Sequence, residues 1–330
     1  MIRLDVVGIG NALVDVLSHE DDAFLAARGI EKGAMTLVDT DTAEQLYAAM
    51  GPSTEISGGS AANTMVGIAS FGGQSAFIGR VHDDQLGAVF GHDIRAAGVG
   101  FTTMPASNDG DPTGRCLILV TPDAQRTMNT YLGASAHLGP ADLELELLAR
   151  AQVLFLEGYL WDEVDAKDAF REAARCAHAA GNRVALTLSD SFCVERHRDE
   201  FVQLIERDVD VLFANEDEIT SLYEVSTFDD ALQRVAFHCE IAALTRSAKG
   251  AVIVARDEVH VVDAHPVARV VDSTGAGDLF AAGFLYGLTH GYDLGTAGRL
   301  ATLAASEVIS HLGARPQVSL ATLAGDLLVR

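Results

Sequence analysis

A run of small residues followed by an aspartate has the clearest chemical potential in this sequence. The segment reads Val270-Val-Asp-Ser-Thr-Gly-Ala-Gly-Asp278, and a helical pattern begins directly after Gly275, Ala276 and Gly277. Backbone N–H groups of such residues at a helix start point into a common concavity, where the helix dipole favours negative charge. A transferring phosphoryl group needs such a concavity, because its transition state spreads negative charge over several oxygens.

Asp278 stands in the first turn of that predicted helix. The positive end of the helix favours the ionised carboxylate, which can accept a proton from a substrate hydroxyl. An acidic residue at this position can also serve only to complement the helix dipole. The adjoining Gly-Ala-Gly run favours the catalytic interpretation, so we predict that Asp278 is a general base.

Two upstream segments also combine glycines with polar side chains. In Gly8-Ile-Gly-Asn-Ala-Leu-Val-Asp15 the first two glycines fit a dinucleotide-binding loop, but Leu13 occupies the place of the third glycine, which disfavours a Rossmann dehydrogenase. In Ser57-Gly-Gly-Ser-Ala-Ala-Asn63 the glycines permit close approach of the backbone to a ligand. The amide of Asn63 can donate to one hydroxyl and accept from another. A tight turn that opens a helix is the alternative interpretation of this segment.

The segment that ends in Asp278 and the Ser57–Asn63 segment together resemble the two signatures of the ribokinase/PfkB family of sugar and nucleoside kinases. The resemblance covers nearly the whole chain, from Gly8 to about Pro316, and the amino-terminal segment resembles the start of adenosine kinases. It implies an ATP-dependent kinase in which Asp278 is the catalytic base. It also implies that the Gly275–Gly277 amides form the anion hole.

The resemblance further implies a site for the ribose of a nucleoside. It assigns Asp15 to the 2′- and 3′-hydroxyls, and a carboxylate is suited to this because it can accept from two vicinal hydroxyls at once. The other residues implied on the substrate side are Asn11, Leu13, Gly58, Gly59 and Asn63. Leu13 and the Tyr159-Leu-Trp161 stretch are candidates for apolar contact with the base, with core packing as the alternative for each. Arg126 is implied to close towards the transferring phosphate, with a solvated surface arginine as the alternative.

A nucleotide side is implied by elements that follow later strands. Asn215 and Glu218 match an Asn-x-x-Glu element that organises Mg²⁺ and phosphates through water. Thr245 and Gly250 match a nucleotide loop, in which Ser247 replaces the first glycine of the family pattern. The remaining implied contacts are Thr274 with ATP, Asp272 with a monovalent cation such as K⁺, and later oxygens of that cation site from Val308, Gly313 and Gln317.

Alternating apolar runs and amphipathic segments must position these residues. The predicted strands are Val6–Ile9, Ser75–Ile78, Val153–Leu156, Val184–Leu188, Val211–Ala214, Ala242–Thr245 and Ala251–Ala255. The predicted helices are Gly59–Phe71, Gln85–Ala97, Ala166–Ala180, Arg198–Glu206, Asp229–His238, Gly277–His290 and Leu294–Ser310. This alternation predicts an α/β fold with a doubly wound, mostly parallel sheet flanked by helices and a ligand crevice at the strand carboxyl ends.

Three further strand-like stretches, Ala34–Val38, Gly114–Thr121 and Arg126–Leu132, lack an adjacent crossover helix. They predict a small separate β-sheet that covers the site as a lid. We therefore expect one ribokinase-like α/β domain over residues 1–330, with lid inserts at about 12–40 and 100–133.

The composition limits the partners of the protein. The 330 residues carry a net charge of −24, so nucleic acid and anionic membranes are disfavoured as partners. Four widely spaced cysteines indicate reduced thiols. Charged residues interrupt the first apolar stretch, and no apolar run reaches the roughly 20 residues that a transmembrane helix needs. We expect a cytoplasmic protein, either a monomer or a homodimer.

Together these observations predict an ATP- and Mg²⁺-dependent kinase that phosphorylates the primary 5′-hydroxyl of a nucleoside, adenosine to AMP. A kinase of the same family that acts on ribose, fructose or a sugar acid is the alternative, since it would share every catalytic residue. A non-catalytic nucleoside or nucleotide sensor is a second alternative, although a pure binder has no need of a base such as Asp278.

Overall fold

Two β-sheets organise the described residues, which are 3–107, 110–123, 125–256 and 258–328 of the computed structural model. The strands are β1 (Leu4–Ile9), β2 (Leu13–His19), β3 (Met35–Leu37), β4 (Ser53–Gly58), β5 (Ser75–Ile78), β6 (Gly114–Val120), β7 (Arg126–Tyr131), β8 (Ala151–Glu157), β9 (Arg183–Thr187), β10 (Val211–Asn215), β11 (Ile241–Thr245), β12 (Ala251–Ala255) and β13 (Glu258–Val262). The helices are α1 (Asp22–Ala27), α2 (Thr40–Ala49), α3 (Ser60–Ser70), α4 (Gln85–Ala96), α5 (Leu145–Ala149), α6 (Val164–Ala179), α7 (Ser191–Asp208), α8 (Glu216–Tyr223), α9 (Phe228–Val235), α10 (Ala276–Thr289), α11 (Leu294–Val308) and α12 (Leu320–Ala324).

Within that part of the chain, the large sheet has eight strands in the order β13-β12-β11-β10-β9-β8-β1-β5. The six strands β11, β10, β9, β8, β1 and β5 are parallel, and β12 and β13 add an antiparallel edge beside β11. All seven predicted strands lie in this sheet. The predicted α/β fold with a mostly parallel sheet flanked by helices is therefore confirmed. β13 was not predicted, and most of its residues are exposed, so it lacks the continuous apolar signal of a buried strand.

Successive strand residues face two separate apolar layers. Val6, Phe155 and Phe213 belong to the core that contains helices α3, α10 and α11, while Val7 and Leu154 belong to the core that contains α6 to α9. Because side chains alternate across a strand, both faces of the central strands are buried. The sheet is thus covered on both sides, and its ligand-accessible edge is the line of strand ends.

The small sheet has five strands in the order β3-β7-β6-β2-β4 over the same described residues. β2 pairs with β4 antiparallel and with β6 parallel, and β7 pairs antiparallel with β6 and parallel with β3. Four of these strands lie inside the two predicted inserts, whereas β4 lies outside them. Residues 108, 109 and 124 of the second insert lie outside the described residues. The insert boundaries and the lid role remain predictions.

Two strands of the small sheet, β2 and β4, were not predicted from the sequence. The sequence analysis assigned no strand to the Gly8–Asp15 segment beyond Ile9, but β2 begins at Leu13 and buries Val14 and Val16. The chain thus leaves the large sheet at Ile9 and enters the small sheet only four positions later. This crossing places the amino-terminal motif at the junction of the two sheets.

Among the helices, α7 departs most from its predicted bounds. It begins at Ser191 rather than at position 198, and Asp190 caps it by accepting from the Cys193 backbone N–H at 2.6 Å. His197 has non-helical backbone angles inside this helix, which breaks the periodic pattern. In the described part of the chain no helix is both long and apolar enough to span a bilayer.

Candidate active site

The Asp278 carboxylate lies where the two predicted signature segments meet. It stands in the first turn of α10, and one of its oxygens accepts from the Ser60 hydroxyl at 2.6 Å. The other oxygen accepts from the Asn63 side-chain amide at 3.1 Å, across 215 positions of sequence. Burial raises the pKa of Asp278, while these two hydrogen bonds lower it. The two donors hold the carboxylate in one orientation and leave its remaining lone pairs open to a substrate hydroxyl.

The helix start beside Asp278 needs glycine for steric reasons. Gly275 has φ +78°, and a Cβ there would meet the Ala314 backbone at 2.8 Å. A Cβ at Gly277 would meet no atom within 4 Å, so open space adjoins that residue. The first amides of a helix have no partner within the helix, and here the Ala276 N–H donates to the Ser273 carbonyl at 3.2 Å. One of the three predicted anion-hole amides is therefore already engaged.

On the substrate side, the Asp15 carboxylate lies directly against Gly58. A Cβ at Gly58 would stand 2.5 Å from the Asp15 carboxyl carbon, so glycine there makes room for the carboxylate. Gly59 has φ +97°, and a Cβ there would overlap the Asn11 carbonyl oxygen. The pKa of Asp15 is raised to about 6, chiefly by burial, while Arg315 and Arg126 oppose the rise and Asp278 adds a smaller increase. The Asp15 carboxylate is therefore near enough to the predicted base, Asp278, for the charge of one to affect the pKa of the other.

Glu157 is a central residue that the sequence interpretation missed. It is buried at the carboxyl end of β8, and it accepts from the Asn11 backbone and side-chain amides at 3.2 and 2.8 Å. Its other oxygen accepts from the Ala61 backbone N–H at 2.8 Å, at the start of α3. Burial raises the pKa of Glu157 to about 7. A lone carboxylate that ends an otherwise apolar strand was the available signal.

Replacing Glu157 with glutamine should lower the free energy of unfolding by about 1–3 kcal/mol, because an amide NH₂ would then face the Ala61 N–H and leave a buried donor unpaired. Urea unfolding monitored by circular dichroism measures the loss. Glu195→Gln, at an exposed position of α7, is the matched control and should have little effect. Equal stability of the two variants would show that Glu157 does not hold the Asn11 and Ala61 segments together.

Arg315 is a second residue that was missed. Its Nε donates to the Asn63 side-chain oxygen at 3.3 Å, and one Nη donates to Asp93 at 2.8 Å. The other Nη is buried and has no partner among the described residues. Asp93 also accepts from the backbone and hydroxyl of Ser57, which precedes the glycine pair. No sequence motif marks Arg315, which lies between Gly313 and Pro316 beyond the last predicted helix.

Arg126 bridges the small sheet to the helix start of α10. Its guanidinium donates to Asp272, and the side chain is 8% exposed, so it is not the solvated arginine of the alternative interpretation. The oxygens of Asp272 also accept from the backbone and hydroxyl of Thr274 and from the Gly313 N–H. Because Asp272 already has these donors, its predicted contact with a monovalent cation remains a prediction. Val308 is buried in α11, and the Gln317 backbone N–H donates to Glu307.

The predicted nucleotide residues form a second group at the same edge of the sheet. Asn215 ends β10 and is paired in register with Thr245, which ends β11. Gly250 has φ +85° at the turn into β12. β10 lies two strands from β8, so this group is about 10 Å along the sheet edge from Glu157. That spacing suits two ligands placed side by side, one on each group.

Asn215 and Glu218 form a reciprocal cap at the start of α8. The Asn215 side chain accepts from the Glu218 N–H at 2.8 Å, and both Glu218 oxygens accept from Asn215. Burial raises the pKa of Glu218 to about 7. In the described ranges no group of three or more acidic, histidine or cysteine side chains could hold a metal ion directly. The water-mediated contact of Asn215 and Glu218 with Mg²⁺, which keeps part of its hydration shell, remains a prediction.

The cationic side chains of the nucleotide loop are already paired. Arg246 and Lys249 lie 3.1 and 3.5 Å from the Glu216 carboxylate. Their positive charge is therefore partly neutralised by Glu216.

The candidates for contact with a base separate into two environments. Trp161 is 1% exposed and packs against Phe170 and Phe201 in the apolar core, as the core-packing alternative expected. Leu13 begins β2 and contacts Gly114, beside the Asp15 strand segment. Leu13 therefore lies at the junction that carries the substrate residues, and Tyr159 of the second stretch interacts electrostatically with Asp278 and Glu157.

Comparison with known proteins gives consistent matches. A family model described as pfkB family carbohydrate kinase matches residues 36–320. A structure of adenosine kinase from Sinorhizobium meliloti is 53% identical, with TM-score 0.91, over 98% of this chain and 99% of that chain. A structure of a probable sugar kinase from Rhizobium etli is 50% identical, with TM-score 0.91, over 98% of both chains. A 5-dehydro-2-deoxygluconokinase from Geobacillus thermodenitrificans is 26% identical over 78% of this chain and 79% of that protein.

Proposed function

The chain belongs to the pfkB family of carbohydrate kinases, and we propose that it transfers the γ-phosphoryl group of ATP to the 5′-hydroxyl of a nucleoside, adenosine. The matched relatives are kinases, and the protein is accordingly a phosphotransferase with an alcohol group as acceptor. The proposal concerns the acceptor and the roles of individual residues.

The observation that carries the proposal is the position of Asp15. Its carboxylate accepts no hydrogen bond from the described residues, yet it lies against Gly58 and interacts electrostatically with Asp278. A half-buried carboxylate without a donor is suited to a vicinal diol, which supplies two donors at once. A ribose held in this way has its primary hydroxyl on the far side of the ring from the diol. The likeness to the adenosine kinase from Sinorhizobium meliloti supports the same acceptor.

The reaction follows from these positions. Asp278 takes the proton from the 5′-hydroxyl as the bond between that oxygen and the γ-phosphorus forms and the bond from the γ-phosphorus to ADP breaks. The Gly275 and Gly277 amides at the start of α10 stabilise the charge on the equatorial oxygens. Mg²⁺, in outer-sphere contact with Glu218 and Asn215, would neutralise charge on the ATP phosphates. Arg126 brings the small sheet against the Asp272 turn, and closure of that sheet excludes water that would hydrolyse ATP.

A sugar-acid kinase is the second candidate, and one observation favours it. The unpartnered Nη of Arg315 lies beside Asn63, and a guanidinium nitrogen suits a carboxylate oxygen. A relative described as 5-dehydro-2-deoxygluconokinase agrees with such an acceptor. The nearby Asp15 and Asp278 carboxylates oppose a second anion in the same site, which leads us to prefer the neutral nucleoside.

An ADP-release assay with a panel of acceptors tests the proposal. We expect adenosine to give the highest kcat/KM, above ribose, fructose and 5-dehydro-2-deoxygluconate, with ADP release dependent on Mg²⁺. A higher kcat/KM for the sugar acid would replace adenosine by the second candidate. Tight adenosine binding without ADP release from any acceptor would instead indicate a sensor and overturn the assignment as a nucleoside kinase.

A further inference from the structure

Arg315 lies within a series of hydrogen-bonded side chains that runs from Asp93 to Asp278. Asp93 on α4 accepts from its Nη at 2.8 Å, while its Nε donates to the Asn63 oxygen at 3.3 Å. The nitrogen of the same Asn63 amide donates to Asp278 at 3.1 Å. A continuous run of hydrogen bonds therefore joins a surface-proximal carboxylate to the predicted catalytic base. These residues are up to 252 positions apart in sequence.

The donors and acceptors in this series of hydrogen bonds can be arranged in only one way. A guanidinium is always charged and can only donate, so the Asn63 oxygen must face Arg315 and the Asn63 nitrogen must face Asp278. A donor at the amide oxygen also polarises the amide and strengthens the hydrogen bond that its N–H group makes. The positive charge of Arg315 thus acts on Asp278 through one intervening side chain, in the sense that favours the ionised carboxylate.

We propose that Arg315 is a positioning residue of the phosphoryl-transfer site: it orients and polarises Asn63 so that the Asp278 carboxylate stays ionised and aimed at the acceptor hydroxyl. Arg315 acts through Asn63 in this role and does not itself accept the proton. The inference rests on the proposed function, in which Asp278 is the base.

Other charged groups face the same carboxylate from several elements. Ser60 and Asn63 on α3 contact Asp278 directly, and Asp15 on β2, Glu157 on β8 and Tyr159 just after β8 interact with it electrostatically. Both of these carboxylates disfavour a second negative charge in the site. Among the described residues, Arg315 is the cation linked to Asp278 by hydrogen bonds, through Asn63, and it also lowers the pKa of Asp15. Arg126 interacts with Asp15 as well, from β7.

The test measures single-turnover rates against pH, with saturating ATP, Mg²⁺ and adenosine, or the alcohol that the acceptor panel selects. In Arg315→Ala the acidic limb of the rate profile should move up by about one pH unit, because a base with a higher pKa loses its proton only at higher pH. At pH values below the pKa of the base in both proteins the rate of the variant should be about tenfold lower than that of wild type, and the difference should disappear at pH values above both. Saturation with substrate separates this limb from any effect of Asp15 on binding.

Two further variants separate positioning from simple structural damage. Arg315→Lys keeps the charge but not the planar fork, so its limb should lie between those of wild type and Arg315→Ala. In an Asn63→Ala background, Arg315→Ala should shift the limb no further, because the intermediary is already lost. Arg175→Ala, at an exposed position of α6, is the control and should leave the profile unchanged.

The outcomes are distinguishable from those of the proposed function. A uniform loss of rate at every pH in Arg315→Ala, without a shift of the limb, would overturn the positioning role. Additive effects of Arg315→Ala and Asn63→Ala would also overturn it. If Asp278→Asn retains its turnover, the proposed function itself fails. If that variant is inactive while the Arg315 variants keep the wild-type limb, only the role of Arg315 is lost.

Discussion

Asp278→Asn should retain nucleoside binding but lose about 10²–10⁴-fold in turnover, the usual effect of removing a general base. Asparagine has nearly the same size and can still accept from Ser60, whose hydroxyl lies 2.6 Å from the carboxylate. It cannot take the proton of the acceptor hydroxyl at neutral pH. Single-turnover kinetics measure the loss in rate, and calorimetry with adenosine measures the retained affinity.

Asp168→Asn, at an exposed position of α6, is the matched control for this substitution and should keep wild-type turnover. Asp278→Glu is an informative companion. It keeps a carboxylate but moves it by one methylene, and misplacement by about 1 Å can cost about 100-fold in rate. Turnover of Asp278→Asn within a few-fold of wild type would exclude this carboxylate as the base.

Asp15→Ala should have the second largest effect, on binding rather than on turnover. Two charge-assisted hydrogen bonds to a diol together contribute about 3 kcal/mol, which corresponds to about 100-fold in the dissociation constant. Calorimetric titration with adenosine measures this change. Turnover at saturating adenosine should fall much less, since Asp278 and its donors Ser60 and Asn63 remain in place.

Deoxynucleosides provide the control for Asp15→Ala on the substrate side. Wild type should bind 2′,3′-dideoxyadenosine far more weakly than adenosine, whereas Asp15→Ala should bind both nearly alike, because the partner of the hydroxyls is absent. This comparison is a double-mutant cycle in which the substrate carries one of the two changes. Full discrimination between the two ligands in the Asp15→Ala variant would move the diol site to other residues.

The same carboxylate should make binding depend on pH. Burial raises the pKa of Asp15 to about 6, so the group is ionised above that pH and protonated below it. Since the diol donates to the ionised form, adenosine affinity should be constant above about pH 7 and fall by up to about tenfold per pH unit below about pH 6. Asp15→Ala should lack this dependence. An unchanged wild-type affinity from pH 7 to 5 would contradict the assignment.

The parts of the site that could be predicted from the sequence were those formed by contiguous residues. The small residues before Asp278 and the glycine pair at positions 58 and 59 encode backbone conformations locally, since Gly275 and Gly59 have positive φ values. The central strands were predictable for a related reason, because burial on both faces demands continuous apolar runs. The alternation of such runs with amphipathic helices was sufficient for the α/β architecture.

Only the tertiary structure decided which polar residues meet. Glu157 and Arg315 carry no motif, yet they contact Asn11 and Asn63 across 146 and 252 positions. It also decided that Trp161 packs in the core and that Asp15 lies on a strand of the small sheet. Local sequence determines the conformation of each segment and the chemistry that each can perform. Which segments become neighbours depends on the order of the strands and on burial over the whole chain, and no short stretch of residues specifies either.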